Sequence, residues 1–340
     1  MVTQSHIQSI RSLPIFVVLD SVYSQNGNSP VSADKPAARR YTELLRLLDE
    51  VLLKSIAIAS VADSRSLPFT KIFSIAEMII YSVSKTEEIF VQVMNPSYVG
   101  NYIPGHSLNV AFLSCKVGIG MQLSFKELSE LCVAALLHDI GMTRIAPDYY
   151  YHDRALTKRE REIIETHPSV GHEFLSELLY EFPWLGRAVL EEHKREHNQG
   201  YPAAVQGELH LYSRIIGLCD SFEALTHHRY HRRASHPADA MKSIINTRGV
   251  YFAKDILRSM IECLSMYPVG SLVQLNNKKI AVVSEAVEGS PLRPRVSVIR
   301  DSDGRTIAEN PETIDLSKEQ TLYITGLVYD DNYEVPQRQN

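Results

Sequence analysis

The distribution of histidine constrains this chain more than any other feature of its sequence. There are 13 histidines in 340 residues, and all of them except His6 lie between His106 and His236. Several stand among apolar residues at three- and four-residue spacing, so helix geometry would turn them towards a core. Buried imidazole and carboxylate groups must be hydrogen-bonded, paired or bound to a metal. The pattern therefore predicts a helical domain built around a polar site.

Composition narrows the class of protein. A net charge of −5, with 44% hydrophobic and 22% charged residues, excludes collagen-like, low-complexity and wholly disordered chains. No apolar run approaches the roughly 18 residues of a membrane span, and no secretory signal is recognisable. The four cysteines are scattered without a CxxC pair, which favours a reducing cytoplasm. We expect a cytoplasmic protein that binds neither a membrane nor long nucleic acid.

Hydrophobic periodicity divides the chain into four parts, and the predicted fold class is mainly α. Residues 1–98 form a helical N-terminal region whose role, regulatory or structural, is left open. Residues 99–265 read as a series of helices that contains the histidines. Turn signals then predict a small β appendix over residues 266–330, followed by a flexible polar tail over 331–340.

Local signals place several elements within these parts. Apolar spacing predicts helices from about Ala37 and over 71–84, and the apolar stretch 14–20 could be a strand. Ser124 and Glu127 have the form of a capping box that begins a helix. That helix runs into His138-Asp139, and Gly141 is the candidate for its C-terminal stop. Asn276-Asn277 reads as a hairpin turn.

Six side chains that can bind a metal fall on inward helix faces or at helix ends: His106, His138, Asp139, His167, His193 and Asp220. Taken singly, a histidine could be a hydrogen-bonded core residue, and an inward aspartate could cap a neighbouring helix. Taken together, four histidines and two aspartates suit two metal ions, with Asp139 able to bridge them. Imidazole and carboxylate ligands suit Fe, Mn or Zn, and two such ions can activate water and clamp a phosphodiester. The remaining histidines are expected to be mainly solvated.

Six motifs in order, over about residues 100–315, resemble the HD-GYP family of metal-dependent phosphohydrolases. The segment 138–141 (HDIG) resembles the HD signature, and 167–171 (HPSVG) resembles the HPxxG segment. Residues 200–202 match the GYP itself. The segments 106–110 (HSLNV), 220–226 (DSFEALT) and 267–271 (YPVGS) are similar to the family's upstream ligand helix, its DxFDALT segment and the start of its β appendix.

The resemblance implies an HD-type helical bundle that hydrolyses cyclic di-GMP to linear pGpG and/or GMP in bacterial second-messenger signalling. It implies a binuclear centre of Fe or Mn, with Zn also compatible, and it gives His138 and Asp139 catalytic roles. The implied metal ligands are His106, His138, Asp139, His167, Glu192, His193 and Asp220. The implied substrate contacts are Gly200, Tyr201, Pro202, Arg229 and Arg232. A diguanylate cyclase, another signalling protein or a second copy of the chain would be fitting partners.

The sequence departs from the family at three places. Met142 stands where the family's HDxGK has lysine, and it cannot donate a hydrogen bond to a phosphate oxygen. In the family's HHExxDGxGYP segment, Glu192 replaces the first histidine, although its oxygens could still bind a metal. Lys194 replaces the glutamate of the same segment, and His197-Asn198 replaces its DG pair. Tyr102 replaces a glutamate of three-metal members, which favours two metals. These departures keep one alternative open, a degenerate domain that binds a cyclic dinucleotide or a protein without turnover. Because HD folds host several phosphohydrolase chemistries, hydrolysis of another nucleotide phosphodiester is a further alternative.

Overall fold

The computed structural model describes residues 36–57, 64–65, 67–85, 93, 102–146, 149, 154–229, 234–246, 251–264, 267, 269–287, 290–307 and 311–328. The predicted strand at 14–20, the residue Arg232 and the predicted tail lie outside this part of the chain.

Ten α-helices lie within the described residues. They are α1 Pro36–Ala57, α2 Phe69–Lys85, α3 Tyr102–Gly120, α4 Phe125–Leu137, α5 Lys158–Ile164, α6 His167–Phe174, α7 Pro183–Glu191, α8 Leu211–Thr226, α9 Pro237–Asn246 and α10 Lys254–Cys263. Short 3-10 helices cover Ile140–Arg144, Ser176–Leu178 and Glu196–Asn198. The strands are β1 Lys194–Arg195, β2 Gln199–Gly200, β3 Leu272–Leu275, β4 Ile280–Glu285, β5 Arg295–Arg300, β6 Thr313–Asp315 and β7 Ile324–Leu327.

The two helices predicted from apolar spacing in the N-terminal region are confirmed as α1 and α2, and both pack on later helices. Leu44 and Leu48 of α1 are fully buried, as are Ile75 and Ile79 of α2. Both helices lie against α3, and α2 also lies against α4. The apolar faces of α1 and α2 are therefore part of the same hydrophobic core as the histidine-bearing helices.

Helix α4 delivers the His138-Asp139 pair to the centre of the bundle. It begins at the predicted capping box, in which the Glu127 amide donates to Ser124 Oγ and the Ser124 amide donates to the Glu127 carboxylate. It ends at Leu137, directly before His138. Gly141 is not the helix stop that its position suggested, because it lies inside the following 3-10 helix and lacks the left-handed backbone of a C-terminal cap.

The C-terminal strands form one antiparallel sheet in the order β6-β5-β4-β3-β7. The predicted hairpin is confirmed, since Leu272 pairs with Val282 across the turn that contains Asn276-Asn277. Alternate residues of β4 and β5, such as Val283 and Val298, are buried on one face of the sheet. The fold is thus mainly α with a small β appendix. Within the described residues, no helix combines the length and the apolar character that crossing a membrane would need.

Candidate metal centre

The side chains implied as metal ligands come together in the interior of the bundle. Helices α3 and α8 each provide one of these side chains from within the helix, and α6 provides one from its first residue. The others lie in the short segments just after the ends of α4 and α7. The converging residues are His106, His138, Asp139, His167, Glu192, His193 and Asp220. The sequence pattern placed His193 on the apolar face of α7, but this is wrong. His193 follows the end of that helix and precedes β1.

Three of the imidazoles are oriented by a hydrogen bond on the ring nitrogen that faces away from the centre. His138 Nδ1 lies 2.8 Å from the Ala135 carbonyl oxygen, and His167 Nδ1 lies 2.7 Å from the Ile164 carbonyl oxygen. A carbonyl can only accept, so each Nδ1 carries the proton. His106 Nδ1 contacts Glu223 Oε2 at 2.6 Å in the same manner. Each Nε2 is directed at the centre, where it would give its lone pair to a bound metal, as metal-binding histidines do.

Asp139 lies between two groups of possible ligands. Its Oδ1 is 3.1 Å from His167 Nε2, whereas its Oδ2 is 3.5 Å from His106 Nε2 and 3.7 Å from His138 Nε2. One group that could hold a metal ion consists of Asp139, His167, Glu192 and His193, and the other of His106, His138 and Asp139.

Asp220 faces the same centre from α8. One carboxylate oxygen lies 3.3 Å from His106 Nε2, and the other lies 3.7 Å from His193 Nδ1. Its two oxygens therefore face imidazoles of different groups, as the two oxygens of Asp139 do.

The acidic groups of the centre differ in their affinity for protons. Burial favours the neutral form of Asp139, but His138, His167 and His106 outweigh it and hold the pKa of that carboxyl well below its usual range. Burial raises the pKa of Glu192 to about 7, with the negative charge of Asp139 adding to the effect. A nearby cation would favour the ionised form of Glu192.

Two atoms test whether a metal fits this donor set. His138 Nε2 and Glu192 Oε2 are buried and have no hydrogen-bond partner among the described residues, and they lie 3.7 Å apart. Leaving such atoms unpaired in a protein interior is costly. Both atoms carry lone pairs that point at the centre, so a divalent cation would satisfy them. The residues present therefore fit a metal.

Gly141 permits the close packing that brings the HD pair against α6. A Cβ atom at this position would lie 2.0 Å from the His167 carbonyl oxygen and 2.7 Å from the Gly171 amide nitrogen. Both neighbours are backbone atoms, so they cannot turn aside. A side chain at position 141 would push Asp139 away from His167.

The substrate contacts implied by the family resemblance lie at the edge of the centre where they are described. The Tyr201 ring stacks on His193 with ring centres 4.6 Å apart. Gly200 and Pro202 flank Tyr201 at the end of the β1-β2 hairpin. The Arg229 guanidinium lies 5.3 Å from the centre of the Tyr102 ring, which itself stacks on His106. Arg232 lies outside the described residues.

Met142, where the family has lysine, is only 6% exposed and belongs to the hydrophobic core. Its effect on catalysis stays a prediction.

Sequence reasoning missed a layer of polar residues behind His106. Glu223, Asn109 and His227 are buried and hydrogen-bonded to one another, and Tyr41 of α1 joins them. The expectation that the remaining histidines are mainly solvated is wrong for His227, which is fully buried. Two signals could have found part of this layer, because Asn109 and Glu223 each lie three residues after a predicted ligand on the same helix.

Comparison with known proteins assigns this fold and centre to a class. A family profile described as "HD domain" matches residues 107–256, and one described as "KOW domain associated with HD domain" matches residues 272–335. A solved structure of an HDG"Y"P protein from Bdellovibrio bacteriovorus superposes with a TM-score of 0.54 at 12% identity, over 68% of this chain and 73% of that chain. Residues 107–256 therefore match an HD domain, and the fold agrees with that match.

Relatives place it more narrowly. The chain is 28% identical over 194 residues to a cyclic di-GMP phosphodiesterase of Pseudomonas aeruginosa, covering 57% of this chain and 47% of that protein. It is 28% identical over 223 residues to the cyclic di-GMP phosphodiesterase PdeB of Borreliella burgdorferi, covering 64% of this chain and 57% of that protein. The match thus spans about half the length of these relatives. Together with its six motifs, these similarities show that residues 107–256 match an HD domain and are similar to proteins named as cyclic di-GMP phosphodiesterases.

Proposed function

We propose that this protein is a metal-dependent phosphodiesterase that hydrolyses cyclic di-GMP to linear pGpG and/or GMP in bacterial second-messenger signalling. The observation that carries the proposal is the pair of ligand groups that share Asp139. The names of the relatives from Pseudomonas and Borreliella support the substrate.

The metal centre of the proposal is binuclear, with Fe or Mn as the favoured ions and Zn compatible. Mixed imidazole and carboxylate ligands suit all three metals. When bound, two such ions supply positive charge that lowers the pKa of a water molecule and neutralises charge on a phosphodiester. Asp139 is proposed as the bridging ligand because its two oxygens face different imidazoles, and His138 and Asp139 are the proposed catalytic pair.

Substrate binding is assigned to residues around the mouth of the centre. Tyr201 would form a wall of the pocket against His193, with Gly200 and Pro202 shaping the approach. Arg229 and Arg232 would contact phosphate oxygens, since a guanidinium group can make two parallel hydrogen bonds to phosphate. The position of Arg229 over Tyr102, one ring away from His106, supports this assignment for Arg229.

The deciding experiment measures metal content and turnover on one sample. Protein prepared without oxygen and loaded with Fe(II) or Mn(II) should contain two ions per chain and convert cyclic di-GMP to linear product. A filled centre that produces neither pGpG nor GMP would overturn the enzymatic part of the proposal.

The matched pair of variants for this experiment is Asp139→Asn and Asp303→Asn. Asp139→Asn keeps the shape of the side chain but removes the charge and one lone-pair direction, so turnover should fall by at least about 10²-fold. Asp303 is an exposed turn residue, so Asp303→Asn should retain the metal content and rate of the unaltered protein. Equal losses in both variants would contradict the role given to Asp139.

A second function is favoured by the burial of Met142. A thioether carries no positive charge, and this side chain lies in the core, so position 142 supplies no cation to a substrate phosphate. The chain would then act as a degenerate domain that binds a cyclic dinucleotide or a protein partner without turnover. Calorimetry that shows tight cyclic di-GMP binding and no product from metal-loaded protein would favour this alternative, whereas product lost in Asp139→Asn would reject it.

The proposal includes a cytoplasmic location, where cyclic di-GMP acts as a messenger, and a diguanylate cyclase or another signalling protein as a fitting partner. A homodimer is the proposed assembly. Light scattering of the purified chain tests this state, and a mass of 38.4 kDa, the mass of one chain, would contradict it.

A further inference from the structure

A buried tyrosine of the first helix reaches the polar layer behind the metal centre. Tyr41 lies on α1, outside the residues that match the HD domain, and its ring is 6% exposed. Its hydroxyl donates to Asn109 Oδ1 at 2.6 Å. Burial, reinforced by the charge of Glu223, raises the pKa of Tyr41, so the phenol keeps its proton and acts as a donor.

The hydrogen bond from Tyr41 fixes the orientation of the Asn109 amide. Asn109 Nδ2 lies 3.2 Å from Glu223 Oε1 and 3.1 Å from His227 Nε2. His227 Nδ1 lies 3.0 Å from the Glu223 carbonyl oxygen, so that nitrogen carries the proton and Nε2 accepts. Both amide hydrogens and the amide oxygen of Asn109 therefore have partners. A flipped amide would place its oxygen against the Glu223 carboxylate.

Glu223 carries this order to the metal centre. Its Oε1 accepts from Asn109, and its Oε2 contacts His106 Nδ1 at 2.6 Å. With Nδ1 bound to Glu223, His106 Nε2 faces Asp139 and Asp220, where it would give its lone pair to a bound metal. A fixed carboxylate on the outer nitrogen orients a ligand ring and raises its basicity.

We propose that Tyr41 is a positioning residue for the metal ligand His106, acting through Asn109 and Glu223, so that helix α1 is a supporting element of the metal centre. The inference rests on the metal centre of the proposed function, but it does not depend on the substrate or on turnover. Displacing α1 would remove the donor that holds the Asn109 amide, and Glu223 Oε1 would lose a donor of fixed orientation.

The test compares two tyrosine-to-phenylalanine variants. Tyr41→Phe removes the hydroxyl and keeps the ring, whose centre lies 6.1 Å from that of Phe112. Tyr212→Phe is the matched control, because Tyr212 is 5% exposed and its hydroxyl donates to Glu130 Oε2 at 2.8 Å, outside the ligand groups. Mn²⁺ is titrated calorimetrically into metal-free protein without nucleotide, and denaturant unfolding is measured on the same samples.

We expect Tyr41→Phe to weaken Mn²⁺ binding by about 3- to 10-fold, below the 10- to 100-fold typical of a residue that contacts the ligand directly. Tyr212→Phe should change the affinity by less than about twofold, while both variants remain folded and lose similar unfolding free energy. Equal Mn²⁺ affinities in the two variants would overturn the inference.

A Glu223→Gln background shows whether the effect passes through the proposed route. If Tyr41 acts through Glu223, Tyr41→Phe should cause little further loss of Mn²⁺ affinity once Glu223 is changed. The same fold-loss in both backgrounds would contradict the route. Mn²⁺ binding that Tyr41→Phe weakens, in a protein that does not hydrolyse cyclic di-GMP, would support this inference while overturning the proposed function. An unaltered protein that binds no Mn²⁺ would overturn both.

Discussion

At the scale of one residue, the buried carboxyl group of Glu192 is the side chain that a cation in the centre would stabilise most directly in its ionised form. It is fully buried, 3.1 Å from His167 Nε2 and 3.7 Å from His138 Nε2, and its pKa is raised to about 7. Glu192→Gln keeps the shape and removes the charge. Metal-free protein should become no less stable, because a costly buried charge is lost, while Mn²⁺ affinity should fall at least about tenfold.

Denaturant unfolding of the metal-free form and Mn²⁺ calorimetry measure these two effects separately. Glu262→Gln is the control, because Glu262 is exposed and pairs only at the surface with Arg258. A Glu192→Gln protein that lost stability but bound Mn²⁺ normally would show that Glu192 has a structural role and is not a ligand.

Gly141 allows a second prediction about a single residue. The Cβ atom of Gly141→Ala would meet the His167 backbone at 2.0 Å, so we expect a loss of about 1–3 kcal/mol of unfolding free energy together with weaker Mn²⁺ binding. Gly326→Ala places its Cβ in open space on β7 and should change stability by less than about 0.5 kcal/mol. Equal stability of the two variants would contradict the close-packing argument.

The seven proposed ligands could be singled out from the sequence because each belongs to a motif of fixed spacing, and the structure brings their side chains close together. Their role as metal ligands stays a prediction. Tyr41 could not be predicted in the same way. It is one tyrosine on an amphipathic helix, and its partner Asn109 lies 68 residues away along the chain. Contacts of that kind depend on how helices pack, which periodicity alone does not specify.

At the scale of elements, histidines outside the centre act at helix starts. His236 precedes α9, and its Nδ1 accepts from the Ala238 amide at 3.2 Å while its Nε2 lies 3.3 Å from Ser271 Oγ, beside the β appendix. Burial lowers the pKa of His236 to about 4. The unfolded chain, with an ordinary histidine pKa near 6.5, therefore takes up the proton first as the pH falls.

The contribution of His236 to stability should accordingly be complete above about pH 6.5 and should decline towards pH 4. We expect the unaltered protein to lose on the order of 1 kcal/mol more unfolding free energy between pH 7 and pH 5 than His236→Asn, which keeps a capping side chain without a titrating ring. The value is reduced for the partial exposure of the ring. Parallel pH profiles for the two proteins would contradict the assignment.

Elements with strong local signals were predictable, and short ones were not. The capping box at Ser124 and the Asn276-Asn277 hairpin are formed by hydrogen bonds between residues that are close in the sequence, so local sequence signals were enough to predict them. Strands β6 and β7 span only three and four residues, and they are defined by pairing with distant β5 and β3. Such short segments carry too few alternating residues to be distinguished from loops.

At the scale of the whole molecule, the N-terminal helices and the HD helices share one core, so they should unfold together. Ile79 of α2 is fully buried in that core, and Ile79→Ala should cost about 2–5 kcal/mol. The protein has one tryptophan, Trp184 on α7, which packs against Phe182, and Phe182 stacks on Phe69 of α2. Trp184 fluorescence therefore reports on α7 at its contact with α2.

If the core is cooperative, Ile79→Ala should shift the denaturant midpoints of Trp184 fluorescence and of far-ultraviolet circular dichroism by the same amount. Ile245→Ala removes the same atoms from a side chain that is 38% exposed, so its midpoints should move much less. An Ile79→Ala protein whose Trp184 fluorescence changes in an early phase, before most of the helical signal is lost, would show that α1 and α2 form an independent unit. The metal centre would then be stable without α1, and the hydrogen bond by which Tyr41 supports His106 through Asn109 would be lost when α1 unfolds.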